Sequence, residues 1–123
     1  MAATLAWSLF ALGIAHIVFG FVRFKEPLLG ALADGFIGQF AAHESRRTAF
    51  WFLMAGPQLM LAGQVALHAV SHGQPALLRL VGAYLLVCAG IGVAAFPKSP
   101  LPLALLLALL LLFVPLPSQP QMR

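Results

Sequence analysis

Cysteine, tyrosine and acidic side chains are nearly missing from this sequence: 123 residues hold one Cys, one Tyr and three Asp or Glu. The lone Cys88 closes no intrachain disulfide and leaves no paired-cysteine metal site. Charged residues make up only 8% of the chain, where a soluble domain carries about a quarter. The formal charge of +4 rests on seven Lys and Arg, which form no basic stripe interleaved with aromatics, so nucleic acid is excluded as a partner. The N-terminus lacks the basic flank of a cleaved signal and is read as a retained span.

What is abundant is apolar: 62% of residues are hydrophobic and the mean hydropathy is +0.98. A chain this short could not hide that surface from water, so its partner is the lipid bilayer. Four apolar segments, at about residues 4–22, 48–70, 75–96 and 101–116, approach the roughly 20 residues that span a bilayer core. They are continuous, not alternating, so they read as helices. The expected fold is all-α: a polytopic membrane four-helix bundle forming one transmembrane domain over residues 1–117, with a tail at residues 118–123.

The connections are legible in part. "SHGQP" from Ser71 is a tight polar turn with Pro75 suited to a helix start, and "PKSPLP" from Pro97 is a second turn. The tail after Val114 is expected to be disordered or interfacial. The long first loop, residues 23–47, exceeds the usual two to eight residues of bundle connections and is expected to carry an interfacial or re-entrant helix. Leu28, Leu32, Phe36 and Phe40 recur every four residues and give that helix one apolar face. Gly30, Gly35 and Gly38 weaken it and allow a break at "DG". Arg23, Lys25, Arg46, Arg47 and Lys98 fall on one side of the spans, Arg79 and Arg123 on the other, which places the long loop in the cytoplasm and both termini outside.

Ionisable groups within spans are functional candidates because lipid makes them costly. His16 shares a helical stripe with Gly13, Gly20 and Arg23, and either bonds a neighbouring helix or serves a site near the loop. Pro57 frees a carbonyl in the second span, where Gln58, with Tyr84 in the third, offers polar groups to a central pocket. His16 and His68 stand roughly 20 Å apart in depth, too far to share a haem within one chain. His68 and His72 have a spacing that zinc uses, but two ligands without a third are weak, so no metal and no cofactor are expected. In the loop, Asp34 lies in its most apolar part, "GALADGFIGQF", where desolvation of the charged form would suit a general acid. Glu26 and Glu44 adjoin basic residues and are expected to stay ionised.

The segments "GIAHIVFGFVRFKEPL", "LADGF" and "RRTAFWFLMAG" together resemble a family of small bacterial four-helix integral membrane proteins of uncharacterised function. The likeness covers most of the chain, and its most specific positions are His16, Gly20, Asp34, Gly35, Arg47, Phe50, Trp51 and Gly56. It implies a bacterial inner-membrane protein and no particular reaction. In build the chain is also similar to the membrane-embedded terpenoid cyclases, small helical bundles that use buried carboxyls to protonate an epoxide or alkene. That likeness is architectural, with no motif behind it.

The favoured expectation is a membrane enzyme acting on a hydrophobic small-molecule substrate, such as an isoprenoid, by acid–base epoxide-opening cyclisation or isomerisation. Asp34 would be the general acid, Glu26 or Glu44 its counterpart, and His16 a base or orienting group. Arg47 would position a carboxylate, Phe19, Phe50 and Trp51 would shield a developing cation, and Gln58 and Tyr84 would contact the substrate. The alternatives are a non-catalytic accessory subunit and a small transporter; a homo-oligomer suits the latter because four short helices enclose little volume.

Overall fold

A computed structural model describes residues 1–96 and 101–116. Among these the chain is all helical, with no strand: α1 (Ala2–Arg23), α2 (Lys25–Ala33), α3 (Glu44–Ser71), α4 (Pro75–Ala95) and α5 (Leu101–Phe113). Helices α1, α3 and α4 are long and apolar enough to cross a membrane. At 1.5 Å per residue they measure about 33, 42 and 32 Å against a hydrocarbon core of about 30 Å. The fourth expected span forms a helix of only 13 residues, about 20 Å long, which falls short of that thickness. It ends at Phe113 because Pro115 biases the residue before it away from helical geometry. The "PKSP" part of the expected second turn and the tail from residue 117 lie outside the described residues.

The chain divides into two compact units, Met1–Phe10 with Leu61–Arg123, and Ala11–Met60. In the first, α5 runs back along α4. Leu101 meets Gly92, Ala108 and Leu112 meet Gly82, and the Arg79 guanidinium donates to the Leu111 carbonyl at 3.0 Å. The buried residues of α4 and α5 are leucine, alanine and glycine: Leu78, Gly82, Ala89, Ala104, Leu107, Ala108 and Leu111. Tyr84, Val87, Ile91 and Phe113 instead point outward, each more than three-fifths exposed. Large side chains outside and small ones inside is the pattern of helices packed within lipid.

In the second unit α1 and α3 meet backbone to backbone at glycines. A Cβ on Gly13 would lie 2.8 Å from both the Gly56 carbonyl oxygen and the Met60 nitrogen. One built on Gly56 would collide with Ile17 of α1. Gly20 gives the same close access to Leu53 and Phe52.

Two helix ends share one device. At the end of α2 the Phe36 N–H bonds the Ala31 carbonyl at 2.8 Å and the Gly35 N–H bonds Leu32 at 3.2 Å; at the end of α3 Gln74 bonds Ala69 at 2.8 Å and Gly73 bonds Val70 at 3.4 Å. Both are Schellman closures, and their left-handed residues are glycines, Gly35 at φ 101° and Gly73 at φ 61°. The break expected at "DG" is thus where α2 stops, with Asp34 as its C-cap.

Candidate functional site

The long first loop is largely structured. Only Phe24 separates α1 from α2, and its N–H still bonds Gly20 at 2.9 Å, so the chain bends there instead of entering a coil. The expected four-residue apolar repeat does not continue as one helix: Leu28 and Leu32 lie on α2, while Phe36 and Phe40 come after its end. Phe36 takes a positive φ of 67°, unusual for a bulky side chain. Even so, the four side chains reach a common place.

That place is a pocket of about 210 Å³. Leu28, Leu32, Phe36 and Phe40 line one part, Phe21 of α1 another, and Phe50, Leu53 and Met54 of α3 the rest. Its aromatic side is continuous: Phe36 packs edge-on to Phe40 at 5.2 Å, Phe40 meets Phe50 at 5.5 Å, and Phe50 meets Trp51 at 5.2 Å. All eight lining residues are apolar.

Arg46, in the first turn of α3, holds this segment in place. Its side chain, 12% exposed, passes Gly30, where a Cβ would stand 3.0 Å from Nη2. Nη2 then donates to the Asp34 carboxylate at 2.7 Å and Nη1 to the Gln39 carbonyl at 3.3 Å. One planar guanidinium therefore ties the α2 C-cap and the turn beyond it to α3, a task that needs donors pointing in two directions. It also places a cation at a helix C-terminus, where the dipole favours one.

His16 has a different setting. Its ring stacks on Phe52 at 4.0 Å and 16°, and Nε2 lies 2.8 Å from the Phe52 carbonyl oxygen. A carbonyl only accepts, so Nε2 carries the proton and donates it. Phe19 and Phe24 close on the same Phe52 ring at 5.9 and 5.2 Å. Of the two roles read for His16, the interhelix bond is the one this geometry displays.

The remaining candidates are dispersed. Glu26 and Glu44 are exposed in the first turns of α2 and α3, where helix dipoles favour a carboxylate, a structural reason for acids at those positions. Asp34 does not have the apolar cover expected for it: its side chain is 53% exposed and paired with Arg46. Arg47 and Gln58 are exposed, Trp51 is 68% exposed, and Tyr84 belongs to the other unit. Of the residues expected to meet a substrate, Phe50 lines the pocket. Arg46, Phe52 and the lining residues Phe21, Leu53 and Met54 are site-forming residues that sequence reasoning passes over. Arg46 gives no local signal, since its partner is twelve positions away; Phe52 stands beside Trp51 in a run of aromatics that spacing alone cannot sort. Among the described residues no group of three or more His, Cys, Asp or Glu is placed to hold a metal ion.

Comparison with known proteins gives one relationship. No curated protein and no solved structure matches the chain. Residues 1–115 match a family whose description is a family of unknown function, DUF6463, and cover the pocket, its Arg46 staple and the His16 cluster. The chain belongs to the DUF6463 family.

Proposed function

We propose that this protein is an integral membrane protein that takes the hydrocarbon end of a lipophilic small molecule into the pocket formed by α2, the turn after it and the start of α3. The observation that supports this is the pocket itself, about 210 Å³ with an entirely apolar lining, in a segment that also carries an ion pair. An apolar cavity of about 150 Å³ accommodates benzene, so this one suits a group of roughly six to ten carbons, such as the end of an isoprenoid chain. In this reading α1, α3 and α4 cross the bilayer, the α2 segment lies at its cytoplasmic face, and the ligand arrives from the lipid phase. The test is native mass spectrometry of the purified protein with a prenyl alcohol: wild type retains the ligand, and Leu53→Asn, which puts an amide into the lining, does not. Equal retention by both proteins would sink the proposal.

A catalytic form of the same reading is favoured by the position of Asp34, which lies between the lining residues Leu32 and Phe36. In it the Asp34 carboxylate leaves its ion pair with Arg46, takes up a proton from solvent and passes it to an epoxide or alkene held beside the pocket. Membranes carrying Asp34→Asn would then lose one product that wild-type membranes form from an epoxidised isoprenoid, with ligand retention intact. Identical product profiles would leave binding without catalysis.

A further inference from the structure

At the other end of α3 two histidines share one face of the helix. His68 and His72 are one helical turn apart, with their rings stacked at 3.9 Å and 24°. The backbone keeps helical form through this pair, since the His72 N–H bonds the His68 carbonyl at 3.0 Å, and the Schellman closure at Gly73 fixes the path of the chain beyond it. The same carbonyl oxygen lies 2.9 Å from the His72 ring nitrogen Nδ1. Because a carbonyl can only accept, Nδ1 is the protonated nitrogen, and the lone pair of the neutral ring is on Nε2. The Ser71 hydroxyl completes the arrangement: it donates to the His68 carbonyl at 3.1 Å, and its oxygen stands 3.0 Å from Nδ1 as a second acceptor.

This is how metal-binding histidines are held elsewhere: one ring nitrogen tied to a carbonyl oxygen, the other left basic and oriented. Two nitrogens on one zinc or copper ion, each at about 2.0–2.1 Å, are about 3 Å apart. Histidines one helical turn apart reach that separation when the His68 ring swings out of the stack so that its lone pair converges on the ion with that of His72.

We propose that His68 and His72 chelate one divalent transition-metal ion of the copper, nickel or zinc class, His72 through Nε2, with the remaining coordination positions open to water or other donors. Imidazole selects this class over magnesium and calcium, which prefer oxygen, and copper(II) binds such a site most tightly of the three. Two protein ligands make a site that loads and exchanges, unlike a closed structural centre. A count of ligands in the sequence argues against a metal; the fixed tautomer of His72 and the one-turn spacing on a helix that the backbone keeps intact supply what the count lacks.

The experiment uses the full chain, purified in detergent without a polyhistidine tag, stripped with chelator and titrated with copper(II) chloride under electron paramagnetic resonance. The expected result is one ion per chain with splitting from two imidazole nitrogens. His68→Gln and His72→Gln should each weaken binding by at least about tenfold, since loss of a mere supporting contact costs that much. His43→Gln, in the segment between α2 and α3, should bind as wild type does. Copper affinity unchanged in both helix-end variants, or a spectrum with a single nitrogen ligand, would overturn the proposal.

Discussion

Gly13→Ala asks whether the close approach of α1 and α3 is a packing requirement. The new Cβ would stand 2.8 Å from the Gly56 carbonyl oxygen, 2.8 Å from the Met60 nitrogen and 2.7 Å from Met60 Cγ. The first two are helix backbone and cannot rotate away, so the helices must part by roughly 0.6–1 Å to reach ordinary contact at about 3.5 Å, forfeiting a quarter to a half of each nearby dispersion contact. Overpacking of this kind costs about 1–3 kcal/mol, opposed by about 1 kcal/mol of helix propensity gained on replacing glycine with alanine. Gly90 in α4 is the control, because a Cβ there meets nothing within 4 Å. Gly90→Ala keeps the propensity gain without the clash, so the difference between the variants isolates the packing cost at about 1–3 kcal/mol. Unfolding by SDS titration in mixed micelles, monitored by circular dichroism, measures both. Equal stability, or a more stable Gly13→Ala, would refute the reasoning.

Other contacts make separate predictions. His16→Phe keeps a ring on Phe52 but drops the bond to its carbonyl, and should cost about 0.6 kcal/mol, at most about 1.7, in the same titration; no loss would mean that the bond contributes nothing. Arg46→Met keeps the side-chain bulk and removes the guanidinium, so amide exchange over residues 34–40 should accelerate while α4 is unchanged. Arg46→Lys should restore that protection only in part, because a point charge does not serve the carboxylate and the Gln39 carbonyl together. A double-mutant cycle with Asp34→Asn should give a coupling of about 0.2–1 kcal/mol that shrinks in high salt, since half of that carboxylate faces solvent. Arg79→Met should strip the Leu111 carbonyl of its donor and speed protease cleavage in α5, a change that equal digestion rates would contradict.

The three long helices are legible because lipid demands continuous apolar runs of a set length, and α1, α3 and α4 supply them. The stop of α2 is legible too, because "DG" marks where a left-handed residue is cheap. The spacing of Leu28, Leu32, Phe36 and Phe40 predicts their shared face but not its form: the chain turns after Ala33, and the two phenylalanines reach the pocket from non-helical backbone. Hydropathy overestimates the fourth span because it counts Val114 to Leu116, whereas Pro115 forbids the helix there. Least legible is the assignment of charged groups. Asp34 sits in an apolar stretch of sequence, but Arg46 crosses from α3 to neutralise it, and no local pattern encodes a partner twelve residues away. Glu26 and Glu44, each read as a counterpart to Asp34, are helix first-turn carboxylates by position.

Photolabelling tests the central claim most directly. A prenyl alcohol carrying a diazirine at its hydrocarbon end is incorporated into nanodiscs with the wild-type protein, irradiated, and the adducts are mapped by peptide mass spectrometry. The pocket account predicts adducts concentrated on residues 28–40 and 50–54, suppressed by excess unlabelled prenyl alcohol and absent in Leu53→Asn. Adducts spread over the outward faces of α4 and α5 in proportion to exposure, with no competition, would contradict it.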